Sequence, residues 1–166
     1  MNRMAAPAAG AMDEAPSPGA ALPRPALARL LRDGQADLAD YAVLDGLLEQ
    51  QFHCALRHDG SQMDALAQRI LEVVERLDER RGVRRALAER LLGPGAPGGM
   101  AALSARLPAS QRDAVQALWE RLELAVRGSK ARNARNARLM TEQQGMLQRV
   151  LHGAEEPLYE GAHAAP

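Results

Sequence analysis

The chain has 166 residues and a formal net charge of +0. That length fits one domain with flexible ends, and the balanced charge leaves no overall field to steer the protein to nucleic acid or a membrane. Aromatic residues make up only 2% of a composition whose apolar share is mostly Ala and Leu, which argues against a β-rich or α/β core and for helices packed along their length.

Lys130 is the only lysine, so arginine carries nearly all the positive charge and a single arginine is a weak functional signal. Cys54 stands alone and can form no internal disulfide, which suits a reducing compartment. The N-terminal stretch lacks the continuous apolar core of a signal peptide, and no apolar run approaches a membrane span. A cytoplasmic address is expected.

In chain order, residues 1–26 hold five of the ten prolines among Ala and Gly and are expected to be disordered. The first long helix should begin between Leu27 and Asp37 and occupy about 37–58. Leu38, Tyr41, Leu44, Leu48, Phe52 and Ala55 lie on it at helical spacing. Gly60 would supply the left-handed conformation that closes it. A second long helix over about 61–92 opens on Ser61-Gln62-Met63-Asp64, a pattern close to a capping box. Met63, Leu66, Ile70, Val73 and Leu77 then form a heptad seam. Its continuation meets Arg80 and Arg84 before Leu87 and Leu91. Either the seam shifts near Gly82, or the two arginines lie across the edge of a partner helix with their stems buried.

The run Gly93-Pro94-Gly95-Ala96-Pro97-Gly98-Gly99 is a break. It has neither the Lys-Ser/Thr nor the preceding strand of a phosphate-binding loop. Met100–Leu107 reads as a short helix stopped at Pro108. The last helix, about 110–152, opens on Ser110-Gln111-Arg112-Asp113, again like a capping box, and ends at Gly153 and Pro157. Its apolar face runs through Val115, Leu118, Trp119, Leu122 and Val126, turns polar at Ser129, Asn133 and Asn136, and returns at Met140, Leu147, Val150 and Leu151. The expected fold is all-α: an elongated antiparallel bundle of three long helices, coiled-coil-like, with a short helix before the last. A helical domain over 27–153 would be followed by a flexible tail, 154–166.

Catalytic chemistry has no foothold. His53, Cys54, His58 and Asp59 are close in sequence, but neighbouring positions diverge around a helix and no second cluster completes a tetrahedral metal site. No nucleophile elbow, paired-carboxylate motif or dinucleotide fingerprint occurs, so neither an enzyme nor a cofactor site is expected. The basic run Arg127, Lys130, Arg132, Arg135 and Arg138 spreads around its helix without aromatics to stack bases. That favours a solvated face, or an edge for an acidic protein partner, over nucleic acid. Asn133 and Asn136 share a helix face. They either fix register, contact a partner's backbone or point to solvent. Leu139, Met140, Met146, Leu147, Val150 and Leu151 make a Met-rich apolar surface suited to helical ligands or to the chain's own bundle. Leu158-Tyr159 sits in an otherwise small and polar tail.

Taken together, these motifs resemble a known family. The segment Asn133-Ala134-Arg135-Asn136-Ala137-Arg138-Leu139-Met140, with Gln143-Gln144 after it, is similar to the Asn-x-x-Asn-Gly motif of the FlgN flagellar type III export chaperones. Leu158-Tyr159 followed by Gly161 resembles that family's tail, and the order of helices matches over about residues 37–161. Ala137 stands where the family motif has Gly, and Gly161 comes early. The resemblance implies a chaperone that binds C-terminal helical segments of the hook–filament junction proteins FlgK and FlgL, keeps them unassembled and brings them to the export gate. The client would pack around Asn133, Asn136, Leu139, Met140, Gln143, Met146, Leu147, Val150 and Leu151. Tyr159 matches the position implicated in docking to the membrane export component FlhA. The heptad seam alone suggests a different reading, a self-associating coiled-coil structural or adaptor protein.

Overall fold

A computed structural model describes residues 21–93 and 99–159, with 153–159 described by their backbone only. These residues form helices α1 (Arg24–Leu56), α2 (Gly60–Leu92), α3 (Gly99–Arg106) and α4 (Ala109–Tyr159), and no strand occurs among them.

Helix α1 starts well before Asp37. Pro25 falls in its first turn, where a proline's fixed φ suits the helix and its missing N–H is no loss. Burial explains the early start: Leu22 and Leu30 are buried with Met100, Leu103, Leu107 and Val115 in one apolar cluster. Gln111 fastens this end. Its side chain accepts from the Leu22 N–H at 2.9 Å and donates to the Leu22 carbonyl at 3.1 Å. The expected capping-box residue thus clamps the chain that enters α1. Of the N-terminal segment expected to be disordered, residues 1–20 lie outside the described residues.

The α1–α2 turn differs in detail from the sequence expectation. His58, at φ 55°, takes the left-handed conformation, while Gly60 opens α2. Asp59 caps α2 by accepting from the Gln62 N–H at 3.2 Å, and the Ser61 hydroxyl donates to the same carboxylate. A turn this short needs its left-handed residue before the cap. Asp is a strong N-cap, and Ser61 already lies inside the helix.

Contacts give the directions of the helices. Asp37 and Asp40 of α1 meet Arg84, Arg80 and Arg76 of α2 in reversed order, so α1 and α2 run antiparallel. Along α4, Leu22 meets Gln111, Asp45 meets Ser129, Leu48 meets Asn136 and Ala55 meets Gln143. That order makes α1 and α4 parallel. Helix α1 packs on both α2 and α4, whereas α2 and α4 make no close backbone approach to each other and are bridged at one end by α3.

Two apolar clusters hold the molecule. Leu66, Val73 and Leu77 of the α2 seam pack on Leu44, Leu47 and Leu48 of α1. The second cluster gathers the start of α1, the end of α2, α3 and the start of α4. Between them lies a charged joint. Asp37 is fully buried and receives both Arg80 and Arg84, and Arg80 also reaches Asp40. Of the two readings of the seam, the structure takes the second: it does not shift, and the arginines turn inward onto carboxylates of α1. Ion pairing this deep is tolerable because each charge has a partner.

The candidate client-binding surface

The register of α1 on α4 creates the site. Helix α4 has 51 residues and α1 has 33, so α4 outruns its partner. Near the end of α1, the Gln143 amide of α4 donates to the Ala55 carbonyl at 2.8 Å and satisfies an acceptor in the last turn of α1. Beyond it, α4 continues for about 24 Å from Gln144 to Tyr159, at about 1.5 Å per residue. Pro157 removes one amide donor, yet the backbone stays helical to Tyr159 instead of ending near Gly153.

This projecting section carries exposed apolar residues. Met146, Leu147, Val150 and Leu151 are 55%, 60%, 69% and 58% exposed. They stand at i, i+1, i+4 and i+5, one stripe of a helix. That stripe continues the face that packs on α1 through Val115, Leu118, Leu122, Asn136 and Gln143. Where α1 stops, the face that would have received it is left open. Leu139 and Met140, nearer the end of α1, are half-buried.

The two asparagines separate. Asn136 is 1% exposed, and its amide donates to the Leu48 carbonyl at 2.7 Å and to Gln51 Oε1 at 3.0 Å. It fixes the register of α4 on α1. Asn133, on the same helix, is exposed. Tyr159 is the last helical residue, and its side chain lies outside the described residues.

The basic run also divides. Arg132 pairs with Asp45 at 3.0 Å. Arg135 pairs with Glu49 at 2.8 Å and lies over the Phe52 ring, 3.9 Å from its centre. Both tie α4 to α1, and Arg135 holds the Glu49 carboxyl below its ordinary pKa. Arg127 and Lys130 instead line a groove shared with α2. Sequence reasoning missed the acids of α1 that receive these arginines. Asp45 and Glu49 lie one turn apart, as do Arg132 and Arg135, which was the available signal. Cys54 is buried in the α1–α2 cluster, while the adjacent His53 is exposed beside Glu49. Among the described residues, no three His, Cys, Asp or Glu side chains gather as a metal site would require, and no helix is long and apolar enough to cross a membrane.

A helical scaffold with one helix projecting an open amphipathic face defines a class, the helical binding protein. Residues 27–156 match the family model described as FlgN protein. The chain belongs to the FlgN family, which is a family of chaperones and not of enzymes, and it has a flagellar export chaperone role. Membership implies interaction with flagellar proteins. No match was found among curated proteins or solved structures.

Proposed function

We propose that this protein is the cytoplasmic chaperone of FlgK and FlgL, binding their C-terminal helical segments, preventing premature assembly and delivering them to FlhA at the type III export gate. The observation that carries this reading is the open apolar stripe of α4 beyond the end of α1. A client helix seated there would take the place that α1 leaves vacant, continuing the bundle by one more helix of the same packing type. Met146 can adapt to different client side chains. Asn133, Leu139 and Met140 border the seat, and Tyr159, at the far end of α4, is left for FlhA. Asn136 and Gln143 serve the site through α1, by holding α4 in the register that exposes the stripe.

Calorimetric titration with the C-terminal segments of FlgK and FlgL tests the proposal. Saturable binding with a negative heat-capacity change is expected, since apolar surface is buried. Burying one leucine contributes about 1.5–3 kcal/mol. Leu147→Asp/Leu151→Asp should therefore weaken binding at least tenfold with unchanged helicity. Absence of binding by both segments, or equal binding by the variant, would refute the assignment. The self-association reading loses its motive, because the α2 seam is covered by α1 within one chain.

A further inference from the structure

A second open surface lies on a different side of α4. Between α2 and α4, next to the start of α3, is a groove of about 690 Å³. Its floor is apolar, with Leu92, Met100, Trp119, Leu122 and Val126. Its rim is basic: Arg81 and Arg85 on α2, Arg127 and Lys130 on α4, against two acids, Glu89 and Glu123. Those acids sit beside Arg85 and Arg127 on their own helices, and Asp78 pairs with Arg81, so the rim keeps a net positive charge through Lys130. The Trp119 indole N–H is buried and has no acceptor among the described residues.

We propose that this groove is a docking site for an amphipathic helix of a partner protein whose apolar stripe is flanked by Asp and Glu. Three observations select that occupant. Both walls are helices whose backbone groups are already paired internally, so an extended strand would gain no ladder hydrogen bonds. Helices α2 and α4 both lean on α1 without a close backbone approach to each other, which leaves a trough beside the cluster that α3 completes at one end. An incoming helix completes the trough as a fourth bundle member. The rim selects acidic flanks by charge complementarity, which steers encounter and excludes basic helices. Along α2, Arg81 to Leu92 spans about 16 Å, or three turns, which sets the length of the docked segment. The α4 stripe assigned to the client faces elsewhere, so this site does not depend on that assignment.

Trp119 is the only tryptophan, so its emission reports on the groove directly. The probe is a synthetic helical peptide of four turns without Trp or Tyr, with a leucine stripe and glutamate flanks, titrated into the full chain. A saturable change in emission is expected, with affinity falling as salt rises. Arg81→Glu/Lys130→Glu should weaken it at least tenfold, while Leu147→Asp/Leu151→Asp should leave it unchanged. Equal binding of a lysine-flanked peptide, no change in emission, or loss of the signal in the Leu147/Leu151 variant would overturn the proposal. So would a response that appears only after residues 1–20 are deleted, or a dilution-dependent emission without peptide. Those two results would assign the groove to the chain's own N-terminal segment or to a second copy.

Discussion

Asn133 and Asn136 lie three positions apart and look alike in the sequence, yet their environments differ completely. Asn136 is buried between α1 and α4 with two hydrogen bonds across the interface, and Asn133 is exposed. Removing a buried hydrogen-bonding side chain costs about 1–3 kcal/mol, whereas exposed substitutions stay within about 0.5 kcal/mol. Asn136→Ala should therefore lower the urea midpoint clearly, and Asn133→Ala should hardly move it. Equal effects would show that Asn136 does not hold the register. A loss of client binding in Asn136→Ala must accordingly be compared with its stability before it is read as a contact. Asp40 gives a pH prediction. Its carboxyl is held below the ordinary value chiefly by the Arg76 hydrogen bonds, with Arg80 adding and burial opposing. A depressed folded pKa means that the unfolded chain takes up the proton first as pH falls. The stabilisation is complete above the unfolded carboxylate value of about 3.9 and is lost as pH drops through the folded value. Asp40→Asn should lower stability at neutral pH and flatten its decline below about pH 4 in urea melts across pH. An unchanged acid slope would contradict this.

For helices, the decisive quantity is how closely α1 and α4 approach. A methyl group added at Gly34 would lie 2.4 Å from Cδ2 and 3.0 Å from Cγ of buried Leu118, so the Leu118 side chain or α4 must shift. Overpacking of this kind costs about 1–3 kcal/mol, against a helix-propensity gain of up to about 1 kcal/mol for Gly→Ala. Gly34→Ala should be destabilised by about 1 kcal/mol. A stabilised variant in denaturant melts would mean that the crossing is looser than the structure gives. The same crossing sets the register that decides which part of α4 lies beyond α1, the section proposed to seat the client.

The molecule as a whole is held unevenly. The paired regions of α1 carry the apolar clusters and the Asp37–Arg80–Arg84 joint, while α4 past Gln143 has exposed apolar side chains at Met146, Leu147, Val150 and Leu151. Local opening should be cheapest there. Amide exchange is expected to be fast over 144–159 in the free chain, slow in the middle of α1, and slowed over 144–151 when a client segment binds. Protection of 144–159 without a client would place that section against another surface and weaken the chaperone proposal. On the proposed reading, the scaffold stays folded whether or not it is loaded, because a client on that open face would displace nothing described in the core.

The sequence by itself determined the helical class, the breaks between helices, the α2 seam and the apolar stripe near the end of α4, because periodicity and Gly/Pro punctuation are local properties. It also carried the motifs that resemble FlgN. Only the tertiary structure decided which partner each face meets. Leu22 and Leu30 extend α1 toward the N-terminus because distant residues of α3 and α4 bury them. Asp37, unremarkable in sequence, becomes the buried centre of a charged joint because Arg80 and Arg84 arrive from another helix. Asn136 and Asn133 part company, and the stripe from Met146 to Leu151 stays open, because α1 ends where it does. Burial depends on the position of a second helix, and no local pattern on the first one encodes that position.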